Sequence, residues 1–215
     1  MPALSNFYRQ QKKEAFVMIK ILSAVVVVAL TGSVASTLVT APEQGQSPAV
    51  VGSQAPDFAL KDSYGKEFRL ADFKDKVVVL EWINRTCPVS RGAHEKKTMQ
   101  DIYKKYAAKG VVWLAIDTTA GSDPEKNRVY AAEKGLAYPI LHDPDGRTGR
   151  AYGAKTTPHM FVIDKTGKLV YNGAIDDRKE TNYVAAALDE VLADKPVSTS
   201  RTEPYGCSVK YARGK

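Results

Sequence analysis

The sequence predicts an α/β sandwich on a mixed β-sheet, and three observations lead there. Residues 76–84 and 111–117 are nearly continuous apolar runs, the composition of strands buried on both faces in a parallel sheet. An amphipathic stretch lies between them, so the central unit reads strand, helix, strand. Further on, 160–164 and 168–175 flank the turn Lys165-Thr166-Gly167 as an antiparallel hairpin, which makes the sheet mixed.

The folded part is expected to begin near Val51, after the Pro-, Gly- and Gln-containing linker 42–50. Phe58-Ala59-Leu60 and 67–70, separated by Asp62-Ser63-Tyr64-Gly65, read as a first hairpin. The strand 76–84 then leads into a helix from Pro88 to about Lys109, with Met99, Ile102, Tyr103 and Tyr106 at helical spacing and Gly110 as its stop. After the strand 111–117, Asp123-Pro124 opens a helix that ends near Gly135. A short strand at 138–141 and a short helix at 147–152 follow, then the hairpin, then a last helix over 181–193 with Val184, Leu188 and Val191 on one face. The domain thus spans 51–195, and 196–215 forms a C-terminal tail.

Composition narrows the function. Of 215 residues, 44% are hydrophobic, enough for a core that needs no disulfides. The formal charge is +7, of which Arg9, Lys12, Lys13 and Lys20 against Glu14 place +3 in the first 35 residues, leaving +4 for the rest. That modest excess, without basic runs interleaved by aromatics, argues against a nucleic-acid partner. Two cysteines 120 positions apart, Cys87 and Cys207, exclude a disulfide-dense scaffold and a CxxC zinc pair. Residues 21–41 are uncharged behind a basic leader, so 1–41 is expected to be a signal peptide, cleaved near Ser33-Val34-Ala35, or a membrane anchor. The folded part would then be periplasmic or extracellular, with or without a tether to the inner membrane.

Cys87 carries the most chemistry. It stands where the strand 76–84 ends and a helix begins, with Pro88 suited to the first helical turn. Helix-terminal amides and the flanking Arg85 and Arg91 should lower its pKa and make it a nucleophile. Glu81 is the only charge inside 77–83, so it must be paired, protonated or at the sheet end. It is expected either to move a proton during disulfide exchange or to form an ion pair with Arg85, Arg91 or a helix lysine. His94 reads as a surface or capping histidine and His159 as an outward-facing strand residue.

Ala55-Pro56-Asp57-Phe58, the strand running into a helix-capping cysteine, Thr157-Pro158 before Phe161-Val162-Ile163-Asp164, and the Gly167 turn together resemble the thioredoxin-like redoxins. That superfamily includes the thiol-disulfide oxidoreductases and the peroxiredoxin-related alkyl hydroperoxide reductase and thiol-specific antioxidant branch. Glu81-Trp82-Ile83-Asn84 with Cys87-Pro88, and the tail 205–211, are similar to a peroxiredoxin-like subgroup. The resemblance covers about 51–193. It implies a three-layer sandwich with the first hairpin as an N-terminal extension, a cis Pro158 against the active-site sulfur, and disulfide or peroxide substrates turned over with an external thiol reductant. Two departures matter. Ser90 stands where thioredoxins have a second cysteine, and Leu80 and Asn84 stand where typical peroxiredoxins have proline and threonine.

Release of an adduct on Cys87 therefore needs another thiol. Cys207, on a tail whose dozen residues beyond the last helix reach roughly 40 Å, is expected to supply it. The expected catalytic residues are Cys87, Cys207, Pro158, Glu81 and Asn84, with Pro88, Thr157, Trp82 and Arg91 on the substrate side and neither metal nor cofactor. Two rival classes remain open: a copper-binding chaperone using the cysteines and a histidine, and a non-catalytic binding module on the same fold.

Overall fold

The computed structural model describes residues 48–212. The expected leader or anchor 1–41 and most of the linker lie outside the described residues.

Strands β1 (Ala59–Asp62) and β2 (Glu67–Arg69) form the first hairpin. Its turn is set by Asp62, whose Oδ1 accepts from the amides of Tyr64 and Lys66, each at 2.9 Å. Then come β3 (Val78–Trp82), helices α1 (Pro88–Glu95) and α2 (Thr98–Ala107), β4 (Val112–Asp117) and α3 (Pro124–Lys134). They are followed by β5 (Ile140–His142), α4 (Arg147–Tyr152), β6 (Thr156–Thr157), β7 (His159–Ile163), β8 (Leu169–Gly173), α5 (Tyr183–Leu192) and β9 (Cys207–Ser208). The main sheet has the order β2-β1-β5-β4-β3-β7-β8. β3–β4 and β4–β5 are parallel; the other neighbours are antiparallel, so the sheet is mixed as expected.

Local chemistry explains most boundaries. Asp123 caps α3 by accepting from the amides of Glu125 and Lys126, and Gly135 closes the helix in the left-handed region at φ 65°. The single helix expected over 88–109 is corrected to two. Lys97 takes φ 62° between them, after amides 96 and 97 have closed on the carbonyls of Gly92 and His94. His94 and Met99 are both fully buried, yet five positions on a straight helix put them about 140° apart. The break brings both onto the sheet.

Along β3 the alternation decides what each face holds. Val77, Val79 and Ile83 join Met99, Trp113, Tyr138, Met160 and Leu188 in one core cluster. Trp82 points the other way and packs against Tyr152 and Phe161, with ring centroids at 5.3 and 5.0 Å. Each such buried side chain contributes about 1.5–3 kcal/mol. Glu81 lies between Val79 and Ile83 in that alternation, so its carboxylate enters the first cluster.

Candidate active site

The chain between β3 and α1 is a short turn built by its own polar groups. The Asn84 side-chain oxygen accepts from the Thr86 amide at 2.8 Å and the Thr86 hydroxyl at 2.7 Å, and the Asn84 carbonyl accepts from the Cys87 amide at 3.0 Å. Cys87 caps α1, with Pro88 in the first turn. Its sulfur accepts from the Ser90 amide at 3.5 Å, and its thiol donates to the Thr157 carbonyl at 3.1 Å. The Thr157-Pro158 peptide is cis, as the resemblance implied. Ser90 is itself fully buried, and its hydroxyl finds no partner among the described residues.

The tail completes the site. β9 pairs with β6, with Cys207 opposite Thr157 and Ser208 opposite Thr156. The Thr157 hydroxyl donates to the Cys207 carbonyl at 3.4 Å, and amide 209 donates to the Lys155 carbonyl at 2.9 Å. This register brings the two thiols within hydrogen-bonding reach of each other, both of them free. Gly206 is required for the approach. It sits at φ 141°, and a Cβ there would collide with the Thr157 carbonyl and come within 3.2 Å of the Pro158 nitrogen.

Anchors hold the tail on both sides of Cys207. Upstream, the Thr202 hydroxyl accepts from the Ala174 amide at 2.8 Å, and Tyr205 bonds Asp176 beneath the Arg178 guanidinium, 3.8 Å from the ring centroid. Downstream, the Lys210 carbonyl accepts from the Ala120 amide at 2.7 Å, and the Tyr211 hydroxyl donates to the Ala154 carbonyl at 2.8 Å. Residues 196–212 are therefore a docked strap, not a loose end.

The two sulfurs differ in setting. Cys87 is 3% exposed, and burial alone would push its thiol up. Hydrogen bonds from the Cys207 thiol and the Ser90 amide favour the thiolate more strongly, so the net shift is downward. Cys207 is half-buried and moves the other way, because the Cys87 sulfur beside it competes for the charge. The lowering was expected, and the Ser90 amide is one of the helix-terminal amides expected to cause it; the part given to the arginines is corrected. Arg91 is exposed, with its guanidinium 3.7 Å from Glu95, and neither it nor Arg85 is among the largest causes of the Cys87 shift.

Glu81 is paired, but with none of the expected partners. Its Oε1 meets His94 Nε2 at 2.7 Å, and its Oε2 accepts from the Trp113 indole at 2.9 Å and the Tyr138 hydroxyl at 3.0 Å. The other ring nitrogen of His94 meets the Tyr130 hydroxyl at 2.7 Å. The expectation of a surface or capping His94 is thus corrected, since it is fully buried and ties α1 to β3. His159 is corrected as well: it is 2% exposed, not outward-facing. Its Nδ1 accepts from the Lys155 amide at 3.1 Å, which leaves Nε2–H to bond Asn172 Oδ1 at 2.7 Å, and burial holds its pKa down at about 4.

Of the nine expected site residues, Cys87, Cys207, Thr157 and Pro158 meet at one point. Pro88 is exposed on the rim and Asn84 shapes the turn below. Trp82 is corrected as a substrate-side residue, because it is fully buried with its indole on the Thr118 hydroxyl at 2.9 Å. The aromatic Tyr205 and Tyr211 around Cys207 marked a docking segment in the sequence, and both are bonded to the domain; the need for Gly206 was missed, although the Gly-Cys pair inside that tail was the available signal. Among the described residues no group of three or more His, Cys, Asp or Glu could hold a metal ion.

A family model described as the AhpC/TSA family matches residues 51–172. The thiol-disulfide oxidoreductase ResA of Bacillus cereus is 31% identical over 157 residues, which cover 73% of this chain and 88% of that protein. An uncharacterized conserved protein of Geobacillus kaustophilus has a similar structure, with a TM-score of 0.71 and 30% identity over 77% of this chain and 94% of that one. A hypothetical protein of Sinorhizobium meliloti 1021 has the same TM-score of 0.71 at 29% identity, over 77% of this chain and 96% of that one.

Proposed function

This chain belongs to the AhpC/TSA family and is a thiol-disulfide oxidoreductase, and from that premise we propose that its redox centre is the pair Cys87 and Cys207. The Cys87 thiolate attacks one sulfur of a substrate disulfide, forming a mixed disulfide and releasing the first substrate thiolate. Cys207 then attacks the Cys87 sulfur, giving up its proton as the second substrate thiol leaves. The substrate disulfide has taken two electrons, and the enzyme holds them no longer, being left as a Cys87–Cys207 disulfide. An external thiol reductant must return them.

One observation carries this reading: β9 pairs with β6 and sets Cys207 opposite Thr157, whose carbonyl already accepts from the Cys87 thiol. The tail thereby supplies the second thiol that Ser90 cannot. Glu81 and His94 act in this scheme as positioning residues, since together they fasten to β3 the helix whose Ser90 amide faces the sulfur. The uncharged run 21–41 behind a basic leader supports an exported enzyme, cleaved or anchored.

A second reading, with peroxide as the oxidant, is favoured by the cover of β9 over Cys87, whose 3% exposure suits a small oxidant better than a protein. The Cys87 thiolate would take one peroxide oxygen as a sulfenic acid and release hydroxide, or alkoxide from an organic peroxide. Cys207 would then expel that oxygen as water in forming the same disulfide.

Oxidation of reduced wild type by one equivalent of a small disulfide should give a Cys87–Cys207 bond in non-reducing peptide mapping. Cys207→Ser should stop at the Cys87 adduct. Equal adduct accumulation and equal turnover in the two proteins would show a one-cysteine enzyme instead. Substituting peroxide for the disulfide in the same assay separates the two oxidants.

A further inference from the structure

We propose that the cavity beside the tail is a binding site for the head group of an α-amino acid, its carboxylate held by Lys155, Arg201 and the Asn172 side-chain amide and its ammonium by Glu203. The site goes beyond the redox chemistry above and does not depend on it.

The tail pairs with strands of the domain in two places. In the first, the Ser200 carbonyl accepts from the Asn172 amide at 3.1 Å and the Asn172 carbonyl accepts from the Thr202 amide at 3.2 Å, so Arg201 stands beside Asn172 in a parallel bridge. In the second, β9 lies on β6. A cavity of about 400 Å³ draws on both sides of this junction, within the range of roughly 300–1,000 Å³ that small-molecule sites occupy. The domain supplies Lys155, His159 and Asn172 to its wall, and the tail supplies Arg201 and Glu203.

The fold fixes one donor in that wall. His159 is buried and its Nδ1 accepts from the Lys155 amide, so its Nε2–H must donate to Asn172 Oδ1. The Asn172 oxygen is thereby used, and its NH2 group is left with no partner among the described residues. With a pKa held at about 4, His159 stays neutral at neutral pH, which keeps this orientation.

The charges follow from the register. Bridged residues project to the same face of a sheet, so Arg201 shares the face of Asn172. Thr202 turns the other way, with its hydroxyl on the Ala174 amide, and alternation returns Glu203 to the face of Arg201. Lys155 lies close enough to His159 for its charge to help lower that pKa. Lys155, Arg201 and Glu203 are all exposed, and none forms an ion pair among the described residues. Opposite charges that line one cavity without meeting leave room between them for a ligand that carries both. Two cations and an amide donor suit a carboxylate, one carboxylate suits an ammonium, and Glu203 disfavours a dianion such as phosphate. Because the wall comes from domain and tail together, an occupant also favours the docked tail.

The test titrates the reduced full chain calorimetrically with L-glutamine, with N-acetyl-L-glutamine, which lacks the ammonium, and with L-glutaminamide, which lacks the carboxylate. L-Glutamine should bind saturably at one site, and each analogue about tenfold more weakly. Glu203→Gln should weaken L-glutamine about tenfold and leave N-acetyl-L-glutamine unchanged, whereas Arg201→Gln should weaken N-acetyl-L-glutamine and leave L-glutaminamide unchanged. Saturating L-glutamine should also slow hydrogen exchange at the Val209 amide, which does not line the cavity and bonds the Lys155 carbonyl where the tail is docked. No saturable binding, equal affinity for the three probes, or an unmoved Val209 exchange overturns the site and leaves the dithiol reading intact. Tighter binding of inorganic phosphate than of L-glutamine overturns the amino-acid assignment.

Discussion

The two cysteines meet at one point but are held by different kinds of structure. Cys87 stands at the corner of β3 and α1, whose residues are locked by the fully buried bonds of Glu81 to His94, Trp113 and Tyr138. Cys207 stands on a strap held by a two-residue strand pair, a few backbone bonds and two tyrosines, all at or near the surface. The first region can open only with the global fold, whereas the second can open alone, because few buried contacts secure it. The proposed nucleophile is thus fixed by the core, and its proposed partner by a part that few buried contacts secure.

The largest expected effect breaks the core side. Glu81→Leu leaves the ring nitrogen of His94, the indole of Trp113 and the hydroxyl of Tyr138 without their common acceptor, and should cost about 3–5 kcal/mol in urea unfolding. Glu81→Gln keeps one carbonyl acceptor and should cost less. An unfolding midpoint unmoved by either would mean that Glu81 does not secure this corner.

His159 tests the boundary between the regions, since it follows Pro158 in the core and lies one residue from the strand that binds the tail. Its folded pKa of about 4 lies below the ordinary 6.5, so the folded state keeps it neutral while the unfolded chain takes a proton first. Its contribution is therefore complete above pH 6.5 and is lost as pH falls towards 4, by roughly 3 kcal/mol in all. Denaturant titrations of wild type and His159→Gln should diverge in pH dependence across that window; parallel curves would place the histidine elsewhere in the acid response.

The smallest effect on stability, and the sharpest on chemistry, is expected at Gly206. Gly206→Ala drives a methyl into the Thr157 carbonyl and lifts β9. Global unfolding should shift by less than about 1 kcal/mol, while formation of the Cys87–Cys207 bond should slow by about tenfold or more. The Cys87 pKa, read from pH-dependent alkylation, should rise as the Cys207 thiol moves off. Unchanged oxidation and pKa would show that the strap tolerates a side chain there.

Sequence alone determined the elements whose causes are local. Apolar runs named β3 and β4, Asp123 and Gly135 named both ends of α3, and Thr157-Pro158 with the capping Cys87 pointed to the site. These signals lie within a few residues of what they specify. Only the tertiary structure decided the partners. The break at Lys97, the union of Glu81 with His94, the burial of His159 and the part of Cys207 in the Cys87 shift all depend on groups from separate elements meeting in one place. The tail shows the division most clearly. Its cysteine and its reach could be read from the chain, but its register on β6 depends on Gly206 fitting the Thr157 carbonyl and on Tyr205 and Tyr211 finding Asp176 and Ala154. Contacts so distant along the chain leave no periodicity or spacing in the sequence, because their geometry exists only once the intervening elements have packed.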